Sequence, residues 1–358
     1  MQRLVELVNF LFFSKRTQEK SAIWTLRVLS SISIFTTISI LVTLIYQSAI
    51  FFNEVPIWDF LLGTKWTPLF KPQSFGVLPL VAGTLIVTVI ASFVALIFGL
   101  SSAIFLSEYA PENVRRVIKP ILEILAGIPT VVYGYFALTV ITPVIMNIFP
   151  DVIIFNALSA GLVMGIMITP MVSTISEDAL ISVPQSLRDA AFALGARKYQ
   201  VSFKVVFPAA LSGITASIIL GLSRAIGETM IVTIAAGATP RFTFNPLESV
   251  QAMTAYIVQL SLGEAPHGSL EYNTIFSVGL LLFFMTLLMN IFGRWIATKF
   301  IKMVVTTSPT PRRIRIKAGK NAQKLPAAAA ARKTRGIERK EGKSPTPNPT
   351  QTAAIAPA

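Results

Sequence analysis

Six stretches of this 358-residue chain, 26–50, 76–106, 120–149, 152–175, 209–237 and 274–298, are apolar over more than the ~20 residues that a helix needs to cross a ~30 Å hydrocarbon layer. Inside that layer no water can satisfy a free peptide group, so each stretch must close its own hydrogen bonds, as an α-helix does. The sequence therefore predicts an all-α integral membrane protein with six transmembrane helices. Composition agrees: mean hydropathy is +0.67 and 13% of residues are charged, against about 25% in soluble domains. An ordinary soluble enzyme is excluded, because a globule of this size could not bury so much apolar surface. The first block is also too long for a cleaved signal segment of roughly 7 to 15 apolar residues. Connecting segments are 51–75, 107–119, a tight turn at Pro150 and Asp151, 176–208 and 238–273.

The net charge of +14 is unevenly placed. Residues 299–358 hold 14 of the 31 basic and 2 of the 17 acidic residues, so this tail carries +12 and the rest of the chain +2. Three regions result: an N-terminus 1–25, a membrane body 26–298 and a basic tail 299–358. In the first, Leu4, Leu7, Val8, Leu11 and Phe12 fall at helical spacing and predict an amphipathic helix, lying on the membrane or packed on a span. From residue 306 the tail is rich in Pro, Ala, Thr, Lys and Arg, a composition that cannot bury enough surface to order itself. Its charge suits attraction to anionic membrane lipid. It has no aromatic side chain on which bases could stack, so nucleic acid is not expected as a partner.

Chemistry inside the chain is sparse. There is no cysteine and one histidine, His267 beside Gly268 and Ser269, which reads as a loop residue; thiolate and zinc sites are excluded. Gly336 to Gly342-Lys343-Ser344 imitates a phosphate-binding loop but has five residues between its glycines where four are required. No catalytic residue, metal or cofactor is expected in this chain, and any ATP it depends on must be used by another subunit.

Orientation follows from Lys and Arg, since basic loops resist translocation. With the N-terminus inside, inner segments and their flanks hold 27 of the 31 basic residues, and the outer segments only Lys65, Lys71 and Arg241. Six spans then put both termini in the cytoplasm. The remaining basic residue is Arg224, inside the fifth block.

An arginine at bilayer centre costs about 2.5 to 3.5 kcal/mol on insertion scales, so it marks a pathway or a partner. Glu228 follows four residues on. In an uninterrupted helix Gly213, Ser217, Gly221, Arg224 and Glu228 share one sector of roughly 80°, a small-residue face that packs on protein. The charged pair either neutralises itself or serves an anion crossing the bilayer, with Arg224 as donor and Glu228 preventing overly tight binding. Hydroxyls at Thr84, Thr88 and Ser92, and glycines at Gly161 and Gly165, read as helix-packing devices. Pro129, Pro143 and Pro170 are expected to kink or end spans.

The inner loop 177–208 carries the second signal. Residues 184–196 predict a short helix opened by Pro184, with Leu187, Ala190, Ala191 and Leu194 on one apolar face. An apolar face outside the membrane calls for another protein, as when a helix docks in a partner's groove.

Asp189-Ala190-Ala191, three residues, Gly195, nine residues, then Val205-x-Phe207-Pro208 resembles the EAA loop of ABC importer permeases, with Asp for Glu, Val for Ile and Phe for Leu. Two further strings, Leu125-Ala-Gly127-Ile-Pro129-Thr-Val-Val-Tyr133-Gly134 and Gly221-Leu-Ser-Arg224-Ala-Ile-Gly227-Glu228-Thr229-Met230, resemble those of phosphate-specific importer permeases, of the PstC type more than the PstA type. The resemblance covers roughly residues 20–300. It implies a type I ABC importer permease (MetI-like) architecture in a bacterial plasma membrane, a PstA-type second permease subunit, an ATPase dimer using ATP and Mg, and a phosphate-binding receptor protein. It implies further that the EAA loop couples to the ATPase and that Arg224 and Glu228 serve the passage of inorganic phosphate. Other oxyanions, such as sulfate or molybdate, and a secondary anion carrier remain as alternatives.

Overall fold

Helices surrounded by lipid gain little by hiding apolar surface from one another, so close backbone approach and a few polar groups must hold them together. The computed structural model describes residues 15–307. The predicted amphipathic residues Leu4 to Phe12 and the tail from residue 308 lie outside the described residues. In chain order the helices are α1 (Lys15–Glu54), α2 (Ile57–Leu62), α3 (Leu78–Tyr109), α4 (Glu112–Gly127), α5 (Thr130–Ile148), α6 (Ala157–Ile181), α7 (Gln185–Ala193), α8 (Lys198–Ile226), α9 (230–236), α10 (Met253–Gln259) and α11 (Leu270–Thr307). Among the described residues six of them, α1, α3, α5, α6, α8 and α11, are long and apolar enough to cross a membrane.

Three boundaries differ from the sequence expectation, each for a local reason. Block 120–149 is not one span. Its first residues belong to α4, whose apolar positions alternate at helical spacing with Arg115, Arg116, Lys119 and Glu123, and the chain then turns extended at Ile128 and Pro129. Proline disfavours helix at the residue before it, so α4 stops there and α5 starts afresh. Block 209–237 is also divided. Helix α8 begins at Lys198 and ends at Ile226, and α9 resumes beyond Gly227, Glu228 and Thr229. Pro208 is admitted into α8 just after a π-helical turn over Ser202–Val206; widening the preceding turn accommodates a residue with no N–H to donate. Finally, 238–273 is more than a loop: α10 buries Met253, Thr254, Ala255 and Tyr256.

The core is organised around α6. Gly161 and Gly165 let α3 come close: a Cβ at Gly165 would lie 2.8 Å from the Ala91 carbonyl oxygen, and one at Gly161 2.7 Å from Ile90. Thr84, on α3, accepts a hydrogen bond from the Met253 N–H at 3.0 Å, so its hydroxyl seats the start of α10, while Ser92 Oγ donates to the Thr88 carbonyl of its own helix. Thr84 thus joins two helices, as the spacing suggested, whereas the Ser92 bond is internal to α3 and the buried Thr88 hydroxyl makes none among the described residues. An aromatic cluster packs edge to face, with Phe60 and Trp66 of segment 55–76 against Phe51 of α1 and Tyr256 of α10.

Elsewhere charges do the fastening. Glu177, on the last turns of α6 and 1% exposed, takes Lys119 at 3.0 Å and Arg115 at 3.8 Å, both from α4. Arg115 also donates to the Leu106 carbonyl at 3.2 Å through Nε. Amphipathic α4 is thereby tied to α3 and α6 although it buries no side chain. For the close α3–α6 contact, Gly165→Leu is expected to destabilise the protein by about 2 kcal/mol or more, since overpacking a fitted contact costs that order. A fall in the thermal unfolding midpoint of the solubilised protein checks it; an unchanged midpoint means the contact is not tight.

Candidate functional site

Helices α6 and α8 pack antiparallel through the small-residue face that the sequence indicated. Gly213 lies against Ala179, Ser217 Oγ is 2.6 Å from Ser176 Oγ, and Gly221 fits against Val172 and Ile168. One turn further, Arg224 Nη2 reaches Met167 Sδ at 3.7 Å. Met167 stands near the middle of α6 (Ala157–Ile181), so Arg224 is at mid-bundle although it occupies the last turn of its own helix.

Glu228 does not continue that face. The helix ends at Ile226 and Gly227, and no ion pair joins Glu228 to Arg224 among the described residues. Glu228 instead faces the next helix: its Oε1 accepts from the N–H groups of Met230 at 3.1 Å and Ile231 at 3.5 Å. That is N-capping, in which a side-chain oxygen satisfies first-turn donors. Its backbone carbonyl, freed by the break, accepts from Thr254 Oγ1 at 2.7 Å, which ties the gap to α10. Glu228 is 8% exposed, whereas Arg224 lies exposed on this single chain. Thr229 closes the gap locally, its hydroxyl donating to the Gly227 carbonyl at 3.3 Å.

The second string meets this break from the other side. Gly127 ends α4, Pro129 opens α5, and the Tyr133 hydroxyl donates to the Leu125 carbonyl at 2.8 Å, bridging the two helices. Gly134 lies on α9: a Cβ there would stand 3.0 Å from Ile234 and 3.4 Å from the Ile231 backbone. Two interruptions, at Ile128–Pro129 and at Gly227–Thr229, are thus packed against one another through α5 and α9, with Tyr133, Ala225, Ile231 and Val232 buried together.

The inner loop folds as a short helix with a defined stop. Pro184 precedes α7, and Gly195 follows it at φ +80°. The Ala196 N–H bonds to the Ala191 carbonyl at 3.1 Å and the Gly195 N–H to that of Phe192 at 2.9 Å, the paired bonds of a Schellman stop that favours glycine at the left-handed position. Ala191, Ala196, Val205 and Phe207 pack on the cluster of Leu180, Val201, Val206 and Ile214, and Pro208 enters α8. Leu187, Phe192 and Leu194 point outward, Leu194 at 90% exposure. Asp189 is exposed, its Oδ1 accepting from Gln185 at 3.2 Å, and Ala190 is solvent-facing beside it.

Sequence reasoning missed the residue that fixes this loop. Arg188, 12% exposed, donates to the carbonyls of Val183 at 2.6 Å and Leu180 at 2.9 Å and pairs with Glu108 on α3 at 2.9 Å. Removing one member of such a nearly buried pair typically costs several kcal/mol, so α7 moves with the ends of α3 and α6 and not independently. Spacing gives no sign of this, because Arg188 looks like one more basic loop residue. Met167, Thr254 and Glu177 were likewise invisible, since their roles depend on what another helix brings to them.

Comparison with known proteins agrees with this architecture. Residues 95–302 match the family described as Binding-protein-dependent transport system inner membrane component. A probable ABC transporter permease protein, YqgH of Bacillus subtilis, is 35% identical over 247 residues, covering 69% of this chain and 80% of the relative. The phosphate transport system permease protein PstC of Haemophilus influenzae is 34% identical over 263 residues, covering 67% and 81%. Among solved structures, a bacterial alginate ABC transporter in complex with a pentasaccharide-bound periplasmic protein aligns with a TM-score of 0.57 at 15% identity, over 81% of this chain and 99% of that one. The MetNI methionine ABC transporter aligns at 0.51 and 20% identity, over 65% and 99%. The six-span helical fold, the matched residues and relatives above 30% identity place this chain in the binding-protein-dependent transport system inner membrane component family, as a transport component with the MetI-like importer architecture.

Proposed function

We propose that this chain is the membrane-spanning permease subunit of an ATP-driven importer that carries inorganic phosphate into a bacterial cytoplasm. The observation that carries the reading is Arg224: a guanidinium at mid-bundle, beside a broken helix, with no carboxylate paired to it among the described residues. A cation left unpaired at that depth is costly unless an anion or a watery path meets it, and broken helices at mid-membrane are where transporters place their substrates. The PstC relatives support phosphate as that anion.

In this reading Arg224 contacts or steers phosphate, and Glu228 acts through the break. By capping α9 it fixes the gap between α8 and α9, and so the height at which Arg224 is presented. A PstA-type permease completes the pore, a phosphate-binding receptor delivers substrate outside, and an ATPase dimer using ATP and Mg grips the loop of Asp189, Ala190, Ala191 and Gly195 inside. Closure of the ATPases pushes on α7, and the Arg188–Glu108 pair passes the push to α3 and α6. The basic end, with Arg115, Lys119, Arg188, Arg197 and Lys198, faces the cytoplasm, as the distribution of Lys and Arg argues. This chain binds no cofactor of its own.

Arg224→Gln is expected to lower phosphate uptake by the reconstituted complex about 10- to 100-fold with assembly intact, the loss of one charged hydrogen-bond donor. Normal uptake by the variant contradicts the assignment, and equal inhibition of wild-type uptake by sulfate or molybdate contradicts phosphate as the substrate. Glu228→Gln keeps an oxygen for the Met230 N–H, whereas Glu228→Ala removes the cap at a cost of about 1 kcal/mol. Capping predicts that Gln retains most transport and Ala loses it; equal loss in both means that the charge itself is needed. Gly195→Asp forces a side chain into a left-handed position at about 1 to 2 kcal/mol. Since no atom would contact the new Cβ, its effect should be a distorted end of α7, seen as ATP hydrolysis continuing with little uptake.

A further inference from the structure

Helices α3 and α8 leave an apolar groove between them that none of the described residues fills. Its walls are Leu100, Ile104, Phe105 and Tyr109 of α3 and Phe203 of α8, and its volume is about 520 Å³. Both walls belong to helices long and apolar enough to cross the membrane, and the groove lies toward the ends of those helices that carry Tyr109 and Lys198. Tyr109 is the last residue of one span and Lys198 the first of the other. Tyrosine and lysine at the end of a span favour the membrane–water interface, which argues for the mouth of the groove at headgroup level.

The mouth carries cations that are not neutralised. Lys198 Nζ stands 5.1 Å above the Tyr109 ring, and the tyrosine face holds the ammonium in place by cation–π attraction. Lys198 is exposed and joins no ion pair among the described residues. Arg197 precedes it and Lys204 follows Phe203, both exposed. Glu108, next to Tyr109 on α3, is held by Arg188, and Glu177 on α6 by Lys119 and Arg115. The groove thus presents an apolar surface beside an unneutralised cation, the arrangement by which basic pockets between spans hold anionic lipid headgroups.

We infer that this groove is a binding site for one anionic phospholipid, with an acyl chain lying along Leu100, Ile104 and Phe105 and the phosphate on Lys198. It is independent of which substrate the protein carries. Phe203 belongs to the π-helical turn Ser202–Val206 near the start of α8, so a bound lipid would stiffen the part of α8 that follows the coupling loop.

The test uses the complete complex in nanodiscs of equal phosphatidylglycerol and phosphatidylcholine, with retained lipid counted by native mass spectrometry. Wild type should retain phosphatidylglycerol preferentially. Lys198→Gln should lower that retention about five-fold, the loss of one basic residue at an anionic surface, without changing phosphatidylcholine. Ile97→Trp, which narrows the exposed wall of the groove, should reduce retention of both lipids and leave the subunit composition unchanged. Equal retention of the two lipids by wild type, or no response to either variant, overturns the inference. Loss of the second permease with Ile97→Trp, or of the ATPase with Lys198→Gln, also overturns it, because the groove is then a protein interface.

Discussion

Everything informative about this molecule follows from the requirement that a peptide group out of water must find a partner inside the protein. Where the helices are continuous the demand is met within each helix and the chain is chemically silent. Where they break, the groups released have to be met by side chains, and those side chains are the ones that define the site. At Gly227–Thr229 the capping oxygen of Glu228 and the hydroxyl of Thr254 take up the freed N–H and carbonyl groups. At Ile128–Pro129 the Tyr133 hydroxyl takes the Leu125 carbonyl. Because α5 rests on α9 through Gly134, the two gaps are mechanically one unit. A displacement of α5 cannot leave the presentation of Arg224 unchanged.

The opposite requirement, that charge stay near water or near countercharge, builds the basic end. Arg188, Arg115 and Lys119 do not merely report topology. They hold α7 and α4, neither of which has a buried side chain of its own, to the ends of α3 and α6. An apolar core does little of this for helices at the rim of the bundle, where Ala191 is the one side chain of α7 that packs on the cluster around Leu180 and Val206. Directional ion pairs and arginine–carbonyl bonds fix such elements with few contacts and leave their outer faces, Leu187, Phe192 and Leu194, free for a partner.

Much of this was legible in the sequence and some was not, for reasons that can be named. The six spans follow from block length alone. The loop helix follows from Pro184 and the apolar spacing over 184–196, but it ends at Ala193, two residues before the left-handed Gly195, a stop the spacing alone did not show. The glycines of α6 and the Gly213–Ser217–Gly221 face were also readable, since small residues at helical spacing mark close approach. The break after Ile226 was present as a signal, a glycine followed by an acid, which is how one helix stops and another is capped. It was overridden by an apolar run that continued on both sides. Hydropathy measures solubility in lipid and does not register a change of helix axis, so it joined α8 to α9 and α4 to α5. The long-range pairs, Arg188 with Glu108 and Glu177 with Lys119, carry no local signal at all.

Arg224 also sets a condition on the assembly. On the single chain its guanidinium is exposed at mid-bundle, with a methionine sulfur as the only hydrogen-bond partner among the described residues. Facing hydrocarbon there would cost ~2.5–3.5 kcal/mol or more, and a side chain in the last turn of α8 beside an interrupted backbone has little freedom to snorkel to either surface. The face that carries it must then be covered by something polar or watery. A protein closing over this face would supply the shelter the charge needs, so the unpaired arginine is a physical reason to expect a partner on this face of the bundle.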